Sequence, residues 1–399
     1  MKKRLFTYFL YFLAGALVFL PHVFQAKAQQ PSALLHSESV FPLQSQHVHG
    51  SSLVELPNGD FLMAWFQGSG ERTADDVRIM GSRLKNGTKT WSEPFELADT
   101  PHLPDCNPVL FMAGDKLFLV WIAVQANRWE HSILRMRTSA RFSGDGAPEW
   151  EWQDNILLKP DDSFADEVAT RLKELPDTGA GWAEYAPKYD RMIIEASQDL
   201  RKRSVGWMTR IKPLILEDGT ILLPLYSDGF NLSLIARSTD GGQTWLPGLP
   251  LVGRGPIQPT LMQRKDGTIV AFMRDSGDYP TRVQQSESID GGWSWSVARK
   301  TSIPNGASVD GIVLPDGRWV MLNNDIDDGR YRLTLQISGD EGRSWQTGQV
   351  IEFDTGRNGR FSYPSLILGK DGKLYMTYSY HLSGDQKSIR FAVVDPKLL

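Results

Sequence analysis

A single cysteine, Cys106, stands in 399 residues, so no intramolecular disulfide can form and packed sheets must hold the fold. Basic tracts are scarce as well: the formal net charge is −4 and no Lys/Arg-rich run follows the first few residues, so nucleic acid is not an expected partner. Metal ligands are poorly supplied. There is no His-Glu-x-x-His and no paired cysteine, Asp325-Ile-Asp327-Asp328-Gly329 lacks the rest of a calcium loop, and His47 and His49, alternating onto one strand face, give two ligands at most. Neither a metal nor a cofactor is expected. The one long apolar run, Leu5 to Leu20, follows Lys2, Lys3 and Arg4 and precedes Ala26-Lys-Ala28, which is the make-up of a cleaved signal peptide over residues 1–28. The run is short for a membrane span, so no stable membrane insertion is expected after cleavage, and the mature protein is expected to be secreted or periplasmic.

What the chain has in quantity is tryptophan, glycine and proline (13, 36 and 23), the turn-rich, aromatic-rich balance of an all-β repeat protein. Two repeats run through it. The first is Ser238-Thr-Asp240-Gly-Gly242-Gln-Thr-Trp245, Ser288-Ile-Asp290-Gly-Gly292-Trp-Ser-Trp295 and Ser338-Gly-Asp340-Glu-Gly342-Arg-Ser-Trp345, one pattern with a period of 50 residues. Asp can bond back to the backbone, Gly takes the left-handed conformation, and Trp plugs the turn onto its sheet. The second is a hairpin turn flanked by alternating apolar residues, centred on Gly59, Gly114, Gly219, Gly267, Gly317 and Gly372. Six such hairpins predict six blades, within a single domain over residues 29–399. Trp91 and Trp150 end degraded copies of the first repeat. The spacing breaks once, over about residues 153–207, where a long excursion over one face is expected, with a short helix from Phe164 to Glu174.

In a propeller the chemistry sits at the axis, where inner strands and their loops converge. The inner-strand phase selects His49, the loop from Glu71-Arg72 to Asp75-Asp76, Asn107, Lys212, Arg274, Arg332 and Tyr363.

The Ser-x-Asp-x-Gly-x-[Ser/Thr]-Trp pattern is the Asp-box, and the chain resembles sialidase-like (BNR-repeat) β-propellers over nearly its whole mature length. That resemblance implies an all-β, six-bladed fold and an exo-α-sialidase-like glycosidase acting on a terminal acidic sugar of an oligosaccharide or glycoconjugate. Arg274 in Ala-Phe-Met-Arg274-Asp-Ser-Gly and Arg332 in Tyr331-Arg332-Leu-Thr-Leu look like two arginines that clamp the substrate carboxylate. Ser362-Tyr363-Pro-Ser-Leu366 is similar to the stretch carrying the family's tyrosine nucleophile. Asp75 and Asp76 occupy the loop of its acid/base aspartate, and Glu71 and Arg72 fit the same pattern. Asn107, Lys212 and Gln258 complete the expected substrate-binding set.

Two family positions are not filled. No arginine occurs in Val48-His49-Gly50-Ser51-Ser52-Leu53, where His49 stands nearest its place, and no acidic residue occurs from Gly241 to Lys265, where Gln258 is the nearest polar group. A tyrosine with a pKa near 10 starts roughly 4 kcal/mol short as a phenolate at neutral pH, so the missing acid matters. His49 separates two readings. As a substitute for the arginine it must be protonated; in a uronate-directed lyase or rhamnosidase on the same fold, a neutral His49 acts as base and Tyr363 as acid. A propeller that binds glycan without catalysis is the remaining alternative.

Overall fold

A computed structural model describes residues 32–176, 186–382 and 385–399, with residues 186–188 described by backbone alone. The expected signal peptide lies outside the described residues. Residues Ala33–Leu399 form one compact unit. Among the described residues, antiparallel strands make six sheets, five of four strands and one of five. The chain starts with β1 (Leu34–Ser39) and then builds blade one from β2 (His47–Glu55), β3 (Phe61–Gly68), β4 (Arg78–Leu84) and β5 (Phe95–Ala98). Blade two is β6 (Asp105–Ala113), β7 (Lys116–Val124), β8 (Ser132–Ser139) and β9 (Trp152–Asn155). Blade three is β10 (Met208–Thr209), β11 (Leu214–Ile215), β12 (Ile221–Ser227), β13 (Leu232–Ser238) and β14 (Leu246–Pro247). Blade four holds β15 (Pro256–Gln263), β16 (Ile269–Asp275), β17 (Arg282–Ser288) and β18 (Arg299–Pro304), and blade five β19 (Asp310–Val313), β20 (Trp319–Asn323), β21 (Arg332–Ser338) and β22 (Gln346–Phe353). Blade six takes β23 (Arg360–Leu368), β24 (Leu374–His381) and β25 (Lys387–Val394) from the C-terminal end and β1 from the other, so one sheet joins both ends of the propeller.

The first strand of each blade is innermost, as contacts of β2 with β6 and β23, and of β19 with β15 and β23, show. Inner strands carry a common defect. In β2, β6, β15 and β23 the ladder slips after His49, Cys106, Ile257 and Ser362, and the next residue, Gly50, Asn107, Gln258 or Tyr363, has φ between +52° and +62°. A left-handed non-glycine residue is uncommon, and three at equivalent places are a built bulge that redirects a side chain. Just past the bulges, side chains tie blade to blade. Leu110 N donates to Ser52 Oγ (2.9 Å), Gly311 N to Thr260 Oγ1 (3.1 Å), Leu366 N to Asp310 Oδ2 (2.7 Å) and Leu53 N to Ser365 Oγ (3.1 Å).

Antiparallel order sorts the loops by face. The six glycine hairpins join first to second strands and, with the Asp-boxes between third and fourth strands, lie on one face. Loops joining second to third strands, and each blade to the next, lie on the other, which is the mouth. In the Asp-box of blade five, Asp340 accepts bonds from Ser344 N (2.8 Å) and Ser344 Oγ (2.6 Å), and Trp345 Nε1 donates to Gly342 O (3.1 Å). Gly342 is at φ +81°, and a Cβ there would meet Trp319 at 2.8 Å, so only glycine fits.

The segment between blades two and three holds helices α1 (Asp162–Leu172), α2 (Ala186–Ser197) and α3 (Leu200–Arg203). Asp161 caps α1 by accepting from Ser163 N (3.0 Å), and Phe164, Val168 and Leu172 bury the helix's apolar stripe against Trp207 and Phe230 of blade three. Arg254 reaches Pro176 O (2.9 Å) and Asp190 (3.0 Å), which fastens the segment to the edge of blades three and four.

Candidate active site

Tyr363 is the centre of the mouth. Its bulge turns the ring out of β23, where the His49 ring packs against it at 4.2 Å between centroids, and the guanidinium carbons of Arg210 and Arg330 both stand 5.1 Å from its centre. Arg274 Nη1 donates to the phenol oxygen (3.0 Å), and the charge of Arg330 and the side chain of Gln258 also act on it. Gln258, buried with its Oε1 unpartnered among the described residues, lies beside the phenols of Tyr363 and Tyr226 and favours their ionised forms. Burial pushes the Tyr363 phenol up, but the charges of Arg274 and Arg330 outweigh it and the net direction is down. Tyr226 shows the contrast: buried with Asp228 beside it, its phenol is pushed well up, and Asn107 Nδ2 donates to its oxygen (3.1 Å).

Two carboxyls flank the arginines. Glu71, half-buried in the β3–β4 loop, is held above the usual range by burial, against the pull of Arg72, Arg330 and Arg274. Asp228, in the β12–β13 loop, is also raised, by the protein packed around it, although its side chain is exposed to water. The sequence reading did not single out Asp228; its place at the same loop phase as Glu71, one hairpin past a second strand, was the available signal.

Several expected site residues stand elsewhere. Asp75 and Asp76 are both exposed. Asp76 closes its own loop by accepting from Ser69 N (3.1 Å) and Ser69 Oγ (2.8 Å), which lowers its pKa and makes it a poor proton donor near neutrality. Asp75 accepts from Asn127 Nδ2 (3.1 Å) of the neighbouring blade's loop. Arg332 turns to Asp325, its Nε 3.2 Å from Oδ1, so its charge is neutralised within its own blade. Arg330, two residues earlier in the loop, takes the place beside Tyr363. Lys212 Nζ bonds to Asp310 (2.6 Å) in the belt of inter-blade ties, where it serves structure. Arg72, by contrast, stays at the rim near Glu71 and Asp228, with its guanidinium over Trp129 at 5.4 Å.

His49 sits at the axis but not as a cation. Desolvation, then the neighbouring His381, His47, Arg330 and Arg210, push it well below its ordinary value, so in the free protein it is neutral near pH 7 and does not supply the fixed charge of an arginine. His47, 5.5 Å away between ring centroids, is lowered to about 4, and His381, whose Nε2 meets Val48 O at 2.7 Å, is lowered too. Among the described residues no group of three or more His, Cys, Asp or Glu side chains is placed to hold a metal ion.

Arg210, missed in the sequence because blade three's inner strand is only two residues long, is 2 % exposed and follows β10 directly. Its Nη1 donates to Ser51 O and its Nη2 to Pro364 O, both at 3.2 Å, and desolvation lowers its pKa to about 10. The signal for the axial set was the recurring x-[Pro/Ser]-x-Leu of Gly50 to Leu53, Asn107 to Leu110, Gln258 to Leu261 and Tyr363 to Leu366, each opening on a bulge residue.

The fold defines a class, the six-bladed propeller of the sialidase type. Residues 59–210 and 205–376 match the family model described as a BNR repeat-like domain, and the chain belongs to that family. Similar solved structures include a protein of unknown function from Dyadobacter fermentans DSM 18053 (14% identity, TM-score 0.64, 91% of this chain and 98% of that one). They also include the NanB sialidase from Streptococcus pneumoniae (12%, 0.63, 91% and 71%) and the leech intramolecular trans-sialidase (14%, 0.62, 91% and 71%). At these identities the likeness is one of fold. No curated protein sequence matches the chain closely enough to carry an argument.

Proposed function

We propose that the protein is an exported glycosidase that removes a terminal acidic sugar from a glycan. The observation that carries this reading is the cationic, phenol-centred mouth: Tyr363 Oη receives Arg274 at 3.0 Å, Arg330 stands over the ring, and Glu71, a carboxyl that burial raises, shares their field. Arg274 and Arg330, with Arg72 at the rim, hold the substrate carboxylate by charge-assisted bonds. Glu71 protonates the leaving oxygen and Tyr363 attacks the anomeric carbon; the glycosyl-tyrosine is then hydrolysed, with Glu71 as base. A tyrosine suits an anionic sugar because its neutral resting form meets the substrate carboxylate without repulsion and it takes on charge only for the attack. Sialidases among the similar structures support an acidic substrate of this kind, and the leader-like residues 1–28 support export.

One observation favours a second reading. A buried, neutral His49 whose Nδ1 has no partner is the form a base needs, so a uronate-directed lyase or rhamnosidase with Tyr363 as acid uses the same geometry. Incubating the purified mature protein with sialosides and with uronate-terminated oligosaccharides separates the two. The glycosidase releases an intact acidic sugar; a product with the near-ultraviolet absorbance of an unsaturated uronate overturns that reading in favour of the lyase.

A further inference from the structure

The acidic partner that would take a proton from Tyr363 is missing, and what surrounds the phenol oxygen instead consists of donors. Arg274 Nη1 lies 3.0 Å from it, the Arg330 guanidinium carbon stands 5.1 Å from the ring centre, and Gln258 beside it also favours the ionised form. A hydrogen-bond donor cannot remove a proton but strongly favours the oxygen that has lost one. Behind the ring stands Arg210, which the glycosidase steps do not use. It is 2 % exposed and, among the described residues, has no carboxylate within salt-bridge distance, although the charge of Asp310 reaches it; its hydrogen bonds go to the carbonyls of Ser51 and Pro364, which belong to the two inner strands bearing His49 and Tyr363. Burying an unpaired guanidinium is costly, and such a group persists where its charge is used.

We infer that Arg210 is a positioning residue for Tyr363: it fixes the ring between blades one and six and, with Arg274 and Arg330, sets a positive field that replaces the missing acidic partner by stabilising the phenolate. The O–H bond of Tyr363 breaks with its proton passing to water at the open mouth, and no side chain stores it. A guanidinium 5.1 Å from the ring centre attracts the neutral ring and attracts the phenolate more. The other groups facing the phenol are His49, neutral; Tyr226, pushed up by burial; and Glu71, a carboxyl that opposes ionisation, while Asp228 acts on Arg274 and Asp310 on Arg210. In giving that ionisation a catalytic purpose the inference rests on the glycosidase reading.

The test is the titration of Tyr363 itself. Protein grown with tyrosine isotope-labelled at Cζ is followed by NMR across alkaline pH, and the Tyr363 resonance is assigned by its loss in Tyr363→Phe. In the wild type it is expected to ionise below the ordinary tyrosine value of about 10. In Arg210→Met the midpoint is expected to rise by about one unit or more, and in Arg210→Lys, whose ammonium cannot span both carbonyls, by less. A wild-type midpoint at or above the ordinary value overturns the inference. So does an unmoved midpoint in Arg210→Met, or in Arg210→Lys if the methionine variant does not fold. No substrate enters the measurement, so its failure and the failure of the glycosidase assay are separate results.

Discussion

A carboxyl donates a proton near neutral pH only where its surroundings make the charged form costly, and that condition separates Glu71 from Asp76. Burial raises Glu71, whereas bonds from Ser69 lower Asp76. Glu71→Gln is therefore expected to lower kcat by about 100-fold or more and to remove the alkaline limb of the pH profile, since activity falls as Glu71 deprotonates. Asp76→Asn is expected to cost less than about 10-fold, through a looser loop; the reverse ranking would return the acid to Asp76. The histidines make a second prediction. His47, His49 and His381 face one another and Lys387, Arg330, Arg210 and Arg360, and all three are lowered from 6.5, His47 to about 4. The unfolded chain binds protons at these residues before the folded one does, so their contribution to stability is full above about pH 6.5 and is lost as pH falls towards about 4. Urea unfolding at about pH 7.5 and about pH 5 should show this loss, and His47→Gln should reduce it. An equal midpoint at both values would contradict it.

Elements decide which residues meet, and here the sequence was only partly readable. Both repeats marked the blades because turn chemistry is local: Gly and Asp answer to their own backbone. Tyr363 and Arg274 were legible because each sits on a strand long enough to show its phase. Arg330 was not, because it lies in a loop, and Arg332, one strand period later, offered a better pattern match while its partner Asp325 could be found only by folding the hairpin. Arg210 and Asp228 failed for the same reason, one beside a two-residue strand and one in a turn. The Asp-box carries its own test. Bonds from Ser344 and Ser338 lower Asp340 to about 2, so its share of stability is present above about pH 4 and lost as pH falls towards about 2. Asp340→Ala should lower stability by about 1 kcal/mol and leave kcat unchanged, as measured by denaturant unfolding and initial rates. A fall in kcat with unchanged stability would place the box in the chemistry.

At the scale of the whole molecule, closure is the feature that holds the mouth together. β1 completes blade six through pairing from Leu34 to Ser39 with Arg390 to Val394, and the side-chain belt from Ser52 to Ser365 ties inner strands around the axis. The single buried cysteine contributes no cross-link. Removing residues 34–39 should expose the edge of β25 and lower Tm by several degrees, and about 1 to 3 kcal/mol of stability should go with it. An unchanged Tm would show that β1 is dispensable to the ring.

Covalent trapping tests the central assignment most directly. A fluorinated acidic sugar with a good leaving group slows the second half of a retaining reaction and lets the glycosyl-enzyme accumulate. Peptide mass spectrometry of the treated protein should find the sugar on the peptide holding Tyr363, with none in Tyr363→Phe and much less in Arg274→Ala. Label on another residue, or turnover of the natural acidic substrate by Tyr363→Phe at the wild-type rate, would contradict a tyrosine nucleophile set in an arginine field.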